Sequence, residues 1–214
     1  MSTSFKYPDD IGTARHEDDV ANILTQRQQK PLPKNPIAFY GSSSFRLWQR
    51  MAQDLNSLDV LNLGFGGSTN ASGLYHLDTL LTPIHPARVV LYFGENDISA
   101  DGLSAQSTFD DLRALHQAIR QRLGSVPVFI LSAKQSLTKW IYADVVFEYN
   151  QLMQAYCHHE ANTHYVDVTS VLLGEHGRPM GKYYENDLIH LNAAGYQQWA
   201  RVLLAQHELW TGAA

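Results

Sequence analysis

Two short segments of this sequence carry the side chains that attack by an activated serine requires. Consecutive serines, Ser42 to Ser44, follow Gly41, and Asp187 lies three residues before His190. A serine hydroxyl is a weak nucleophile until a base takes its proton, and a carboxylate must orient that base. On a turn, Asp187 and His190 can face one crevice and touch each other. The residue types and their spacing therefore predict a nucleophilic centre of serine, histidine and aspartate.

Three turns supply candidate donors for a negatively charged oxygen. When an activated serine attacks a carbonyl carbon, the tetrahedral intermediate needs preorganised N–H groups, each worth roughly 3 to 4 kcal/mol in the transition state. The backbone N–H groups of Ser43 and Gly67 and the side-chain amide of Asn96 meet this requirement. Because each follows an apolar run, the three predict an oxyanion hole built from three strand ends.

The apolar runs before these turns predict the strands that position them. Short buried strands are expected at 37–40, 60–65, 88–93 and 126–131, with a weaker one at 164–168. Apolar residues recur at helical spacing at 47–55, 74–81, 109–123 and 145–156. A last helix is expected after Asn192, a candidate N-cap, and a short surface helix is expected around 18–29.

The alternation of strands and helices predicts a three-layer α/β/α sandwich. Right-handed crossovers would place helices on both faces of a mostly parallel five-stranded sheet. In such sheets ligands bind at the carboxyl ends of the strands, which is where the turns described above lie. The domain is expected to span residues 36–214. The polar residues 1–35, which end in a proline cluster, are expected to form a leader segment that packs on it.

Four segments resemble, in order, blocks I, II, III and V of the SGNH (GDSL-like) hydrolase superfamily. They are FYGSSSFRLW, NLGFGGST, LYFGENDI and DLIHLNAAGY, between residues 39 and 196. The resemblance implies a flavodoxin-like fold and hydrolysis of carboxylic esters without a metal or an organic cofactor. Matched by motif, it makes Ser43 the nucleophile, His190 its base and Asp187 the residue that orients the base. It also makes Gly67 and Asn96 oxyanion donors.

Ser42 departs from the family pattern, since it stands where the family has the aspartate of Gly-Asp-Ser. That aspartate is not a triad member, so the implied mechanism remains in place. The replacement leaves open which serine reacts, and the alignment of Gly41 favours Ser43. Residues near the predicted site are candidates for a substrate pocket, although packing explains them equally well: Ser42, Glu95, Lys134, Trp140, Tyr142 and Tyr184.

Composition excludes several other classes of protein. Sixteen basic and twenty-one acidic residues give a net charge of −5 with no basic block, which argues against nucleic-acid binding. The single cysteine, Cys157, cannot form an intramolecular disulfide. No apolar stretch approaches the roughly 20 residues that span a bilayer, and the N-terminus lacks signal-peptide features. We therefore expect a cytoplasmic protein without membrane insertion, and the sequence leaves its oligomeric state open.

Two other segments contain residue types that are typical of binding sites. The histidines around Glu160 miss the spacing of a zinc protease, so no metal is expected there. The segment 177–182 superficially resembles a phosphate-binding loop but is one residue short. We thus expect a serine esterase that acts on a small-molecule ester, with a short acyl group such as acetyl, or on an acetylated saccharide. The alternatives are a lysophospholipase or thioesterase, and a non-catalytic module that binds phosphate or sugar.

Overall fold

The computed structural model of the protein describes residues 16–211 and builds them around one sheet. The strands are β1 (Ile37–Gly41), β2 (Val60–Gly64), β3 (Arg88–Tyr92), β4 (Val128–Leu131) and β5 (Thr163–Val166). They lie in the order β2-β1-β3-β4-β5, and each neighbouring pair is parallel. The predicted five-stranded sheet is confirmed, and all of its pairings are parallel.

Helices precede, separate and follow the strands. They are α1 (Glu17–Gln29), α2 (Ser43–Arg46), α3 (Met51–Asp54), α4 (Asn70–Tyr75), α5 (Leu77–Leu80), α6 (Glu95–Ser99), α7 (Ala105–Leu123), α8 (Ala143–His159), α9 (Ala193–Leu204) and α10 (His207–Trp210). They cover both faces of the sheet, which confirms the three-layer α/β/α sandwich. Within residues 16–211, no helix is both long enough and apolar enough to cross a membrane.

Each strand contributes alternate residues to two apolar cores, one on each face of the sheet. In β1, Ala38 and Tyr40 pack in the core covered by α1, α5, α7 and α8. Ile37 and Phe39 pack in the other core, which α3, α9 and α10 cover. Successive side chains of a strand point to opposite faces, so a strand buried on both sides must be apolar throughout. This is why the strands appear in the sequence as continuous apolar runs.

The segment 47–55 differs from the single helix that its spacing predicts. The structure has two short helices, α2 and α3, separated by residues 47–50. Trp48 lies in this break, where its ring stacks on Tyr196 at 5.1 Å between centroids and its indole N–H donates to Asp54 Oδ2 at 2.8 Å. Packing of Trp48 against α9 therefore takes precedence over local helical periodicity.

The last helix begins as predicted. The side-chain oxygen of Asn192 accepts from the N–H of Gly195 at 3.1 Å, which caps α9. The helix ends at Leu204, and a separate short helix, α10, carries Trp210. Residues of both helices pack in the same core.

The N-terminal helix α1 packs against the sandwich. Val20 and Ile23 are 8% exposed and lie in one of the two apolar cores. Arg27 donates to the carbonyl oxygen of Leu80 at 3.1 Å. Residues 1–15 of the expected leader segment lie outside the described residues, and the division of the chain at residue 35 stays a prediction.

Candidate active site

The turn after β1 places Ser43 at the first position of α2, at the carboxyl edge of the sheet. Gly41 is required just before it, because a Cβ at this residue would lie 2.5 Å from the carbonyl oxygen of Tyr92. Ser42 and Ser44 are almost fully buried, at 1% and 0% exposed. Ser43 is partly exposed and lines a cleft of about 430 Å³. Of the three serines, Ser43 is thus the one that faces this cleft.

Ser43, His190 and Asp187 form a continuous hydrogen-bonded chain. Ser43 Oγ lies 3.1 Å from His190 Nε2, and His190 Nδ1 lies 2.6 Å from Asp187 Oδ2. An ionised carboxylate can only accept, so Nδ1 of His190 donates to Asp187. In the neutral imidazole, Nε2 is then the acceptor for the hydroxyl proton of Ser43. The arrangement is suited to moving a proton from Ser43 to His190.

The loop between Asp187 and His190 holds the carboxylate by several hydrogen bonds. Asp187 Oδ1 accepts from the backbone N–H groups of Ile189 at 2.8 Å and His190 at 2.9 Å. Burial alone would raise the pKa of Asp187, but the hydrogen bonds from the His190 side chain and from these two backbone groups lower the pKa to about 2. The carboxylate is therefore charged at neutral pH.

Leu188, inside this loop, has a left-handed backbone with φ +56°. Such a conformation is unfavourable for a residue with a branched side chain and persists only where surrounding contacts impose it. Thr138 supplies such a contact, because its hydroxyl donates to the carbonyl oxygen of Asp187 at 2.7 Å. The N–H of Glu185 also donates to the carbonyl oxygen of His190 at 2.8 Å. Neighbouring loops thus hold the strained turn in place.

Gly67 and Asn96, the predicted oxyanion donors, line the same cleft as Ser43. Gly67 has φ +70°, which a glycine adopts without strain. The side-chain nitrogen of Asn96 donates one hydrogen to the carbonyl oxygen of Ser68 at 2.9 Å. Since an amide carries two hydrogens, this bond orients Asn96 and leaves the second for another acceptor. The geometry brings four of the five predicted triad and oxyanion residues to one cleft, and the fifth, Asp187, is hydrogen-bonded to His190.

Asp97 joins the loops that carry Gly67 and Asn96. Its carboxylate is fully buried and accepts from the N–H of Asn70 at 2.9 Å and from the Asn70 side chain at 3.0 Å. The N–H of Gly94 donates to its other oxygen at 3.2 Å. Burial, the largest influence, raises the pKa of Asp97 to about 7 even though the hydrogen bonds from Asn70 lower it. The sequence offered no sign that Asp97 and Asn70 would pair.

Among the six candidate pocket residues, Glu95 lines the cleft. Lys134 is only 2% exposed, and its ammonium lies 2.7 and 2.9 Å from the two carboxylate oxygens of Glu95. Tyr184 is buried and donates to the carbonyl oxygen of Gln135 at 2.7 Å. Their part in binding substrate stays a prediction.

The other three candidates are held by different contacts. Ser42 is buried and donates its backbone N–H to the carbonyl oxygen of Tyr92 at 3.0 Å. The ring of Trp140 lies 5.2 Å from the guanidinium of Arg178. Tyr142 packs, partly buried, against one of the apolar cores. Packing contacts thus account for these three positions, and a pocket role for them also stays a prediction.

Five further residues that line the cleft were not predicted: Asp19, Arg46, Gly66, Lys139 and Ile189. Arg46 and Ile189 could have been found, since each lies within a motif that was recognised. Asp19 gave no signal, because an acidic residue in the first turn of a helix is ordinary. Its position in the cleft depends on contacts with residues far away along the chain.

A second cavity, also of about 430 Å³, lies on another side of His190. It is more apolar than the cleft, and its lining includes Leu47, Trp48, Leu191 and Tyr196. Among the described residues 16–211, no three His, Cys, Asp or Glu side chains are placed to hold a metal ion.

The chain matches the model of the GDSL-like Lipase/Acylhydrolase family over residues 24–198. No curated protein sequence matches it closely. Similar solved structures include a Streptococcus pneumonia protein provisionally described as a platelet activating factor, with a TM-score of 0.75, 22% identity and coverage of 89% of this chain and 91% of that one. A GDSL-like lipase from Bacteroides thetaiotaomicron has a TM-score of 0.71 and 16% identity over 86% of this chain and 94% of its own.

A mutant of an acetyl-xylooligosaccharide esterase from Geobacillus Stearmophilus has a TM-score of 0.68 and 14% identity over 85% of this chain and 96% of its own. At these identities the solved structures show a shared fold. The family match, over most of the chain, confirms the resemblance found in the four sequence motifs. The chain belongs to the GDSL-like Lipase/Acylhydrolase family and is a hydrolase of the SGNH type.

Proposed function

We propose that the protein is a serine-dependent carboxylic ester hydrolase that works through an acyl-enzyme at Ser43. The observation that carries this proposal is the chain of contacts from Ser43 Oγ to His190 Nε2, at 3.1 Å, and from His190 Nδ1 to Asp187, at 2.6 Å. A nucleophile, a base and a group that orients the base are within hydrogen-bond reach of one another.

In the first half-reaction, His190 Nε2 takes the hydroxyl proton as Ser43 Oγ bonds to the carbonyl carbon of the ester. The carbonyl electron pair moves to the oxygen, and N–H groups of Ser43, Gly67 and Asn96 stabilise the resulting charge. The bond from carbon to the alcohol oxygen then breaks, and His190 gives its proton to the departing alcohol. An ester between the acyl group and Ser43 remains.

In the second half-reaction, water replaces the alcohol. His190 takes a proton from the water as the water oxygen attacks the acyl carbon. The bond to Ser43 Oγ then breaks, Ser43 regains its proton from His190, and the carboxylic acid leaves. Asp187 remains ionised throughout and stabilises the charged imidazole.

The lining of the cleft supports a short acyl group and a polar alcohol. Apart from Ile189 and the glycines, the cleft is bordered by polar and charged side chains, among them Asp19, Arg46, Glu95 and Lys139. Against such groups a long hydrocarbon chain could bury little of its apolar surface, whereas an acetyl group has little apolar surface to bury. Hydroxyl groups of a saccharide would find hydrogen-bond partners there. The acetyl-xylooligosaccharide esterase that shares this fold supports the same choice.

A lysophospholipase or thioesterase is the second candidate, and the apolar cavity beside His190 favours it. Leu47, Trp48 and Leu191 could bury part of an acyl chain or of a hydrophobic alcohol. The two candidates differ in how turnover should depend on acyl length, because only the second would gain from added methylene groups.

The test compares turnover of p-nitrophenyl acetate, butyrate and octanoate by wild type and Ser43→Ala. We expect a rate that falls with acyl length and that drops by roughly a thousandfold or more in Ser43→Ala. Ser125→Ala is the matched control, because Ser125 is exposed and precedes β4 at the opposite edge of the sheet.

The possible results separate the hypotheses. A rate that rises with acyl length would favour the lysophospholipase or thioesterase. Full activity in Ser43→Ala would exclude Ser43 as the nucleophile. Absence of turnover on every ester, together with no fluorophosphonate adduct on Ser43, would overturn the proposed mechanism.

A further inference from the structure

Helix α1 contributes a charged side chain to the cleft. Asp19, in its first turn, lines the cleft together with Ser43. Its Oδ2 accepts a hydrogen bond from the backbone N–H of Gly66 at 2.7 Å, and the same oxygen lies 3.4 Å from Arg46 Nε. Asp19 therefore connects the N-terminal helix to two segments of the site, the loop after β2 and the helix that begins at Ser43.

The contact with Gly66 lies one residue from a proposed oxyanion donor. Gly66 and Gly67 are consecutive glycines, and glycine has the widest backbone freedom of any residue. Both flanks of this pair are held by hydrogen bonds. The N–H of Phe65 donates to the carbonyl oxygen of Gly41 at 3.0 Å, and the hydroxyl of Ser68 donates to the carbonyl oxygen of Phe65 at 3.0 Å. The bond from Gly66 to Asp19 adds a restraint within the pair itself.

The charge of Asp19 makes a purely electrostatic role unfavourable. A carboxylate beside an oxyanion hole would oppose the negative charge that develops in the transition state. Arg46 offsets that charge, and the Asp19 side chain is 28% exposed, so the carboxylate is partly solvated. The role left for Asp19 is to hold the backbone in place. It accepts a charge-assisted hydrogen bond from a backbone N–H, and such a bond is stronger and better defined in geometry than a neutral one.

Helix α1 is itself fixed to the rest of the protein, so it can hold the Asp19 carboxylate in position for this bond. Val20, next to Asp19, is buried in the core, and Ile23 is buried one turn later. At the start of the helix, His16 Nε2 lies 3.1 Å from the hydroxyl of Ser72 in α4. Contacts on both sides of Asp19 thus fix where its carboxylate lies.

We propose that Asp19 is a positioning residue that holds the Gly66–Gly67 loop in the geometry required for an oxyanion hole. Asp19 lies outside the region 24–198 that matches the family model, although the later turns of α1 lie within it. The proposal rests on the proposed function, because it assumes that Gly67 stabilises an oxyanion.

The test uses Asp19→Ala, Asp19→Asn and the matched control Asp18→Ala in the full chain. Asp18 is exposed, lies in the same first turn and carries the same charge, so the control removes one acidic residue without touching Gly66. With p-nitrophenyl acetate, we expect kcat to fall about 10- to 100-fold in Asp19→Ala with little change in KM, because the loss falls on the transition state. Asp19→Asn keeps an oxygen for Gly66 and should recover most of kcat.

A second measurement does not depend on turnover. Amide hydrogen exchange at Gly66, followed by NMR, should become faster in Asp19→Ala and remain at the wild-type rate in Asp18→Ala. The melting temperature of each variant identifies any that lose activity by unfolding, and kcat is compared at a temperature at which Asp19→Ala and Asp18→Ala are both folded.

The outcomes distinguish this proposal from the proposed function. If wild type is active, depends on Ser43 and loses no kcat in Asp19→Ala relative to Asp18→Ala, the role of Asp19 is wrong while the esterase stands. Unchanged exchange at Gly66 in Asp19→Ala would also overturn the role of Asp19. If wild type hydrolyses no ester, the proposed function fails, and the role of Asp19 in an oxyanion hole fails with it.

Discussion

The Asp187 side chain combines two tasks at the scale of a single residue. One oxygen accepts from two backbone N–H groups and fixes the turn, and the other accepts from His190 Nδ1. The first task needs only an oxygen. The second needs an acceptor that leaves His190 Nε2 unprotonated and able to take the proton of Ser43. A substitution that preserves one task and reverses the other can separate them.

Asp187→Asn is that substitution. Its amide oxygen can keep the backbone bonds, whereas its NH₂ group would face His190 Nδ1 and favour the tautomer that carries the proton on Nε2. We expect turnover to fall by about a hundredfold to ten-thousandfold while the melting temperature at neutral pH changes little. Steady-state rates and thermal unfolding of the two proteins check this. A variant that kept wild-type turnover would show that His190 does not depend on Asp187.

At the scale of elements, the ion pair between Lys134 and Glu95 joins the segment after β4 to the first residue of α6. Lys134 is 2% exposed, so its charge is almost completely removed from water. Breaking such a pair leaves a buried charge without a partner, which costs roughly 3 to 5 kcal/mol, whereas neutralising both partners costs less. Since Glu95 precedes Asn96, the pair also anchors an element that carries a proposed oxyanion donor.

Lys134→Met should therefore lower the free energy of unfolding by roughly 3 to 5 kcal/mol, because Glu95 loses its counter-ion. Adding Glu95→Gln to this variant should restore part of the loss. Urea unfolding of the two single variants and the double variant measures the coupling, with the exposed Lys34→Met as the control. Losses that simply add in the double variant would show that the two side chains are not coupled.

At the scale of the whole molecule, buried histidines link folding to pH. His76 is 7% exposed, and its ring lies 6.2 Å from that of His16. Burial first, and the charge of His16 second, lower the pKa of His76 from 6.5 to about 4. The unfolded chain thus binds a proton at His76 between about pH 6.5 and 4 that the folded protein does not. The free energy of unfolding must therefore fall as pH is lowered through this range.

Removing the titrating group should flatten this dependence. We expect the melting temperature of His76→Leu to fall less than that of wild type between pH 6.5 and 4, and the difference corresponds to at most about 3 kcal/mol of unfolding free energy. Differential scanning calorimetry at several pH values measures it. His159→Leu, which replaces an exposed histidine, is the control. If the melting temperatures of wild type and His76→Leu fall equally between pH 6.5 and 4, the prediction is wrong.

The sequence by itself determined the architecture and the order of the site residues. Strands buried on both faces must be apolar throughout, and the turns after them need glycine and small polar residues, so both are visible in short windows. The parallel sheet, the helices between its strands and the cap at Asn192 followed from these local patterns, and the structure confirms them. The same motifs named Ser43, Gly67 and Asn96 as candidates, and the structure brings them to one cleft.

Only the tertiary structure decided the contacts between residues distant in sequence. Ser43 faces the cleft, whereas Ser42 and Ser44 are buried. Asp19 binds the N–H of Gly66 across 47 positions of the chain, and Lys134 pairs with Glu95 across 39. Such contacts depend on how whole elements pack against the sheet, which no local window contains. Local patterns therefore predicted the chemistry of this site, and packing determined which side chains surround it.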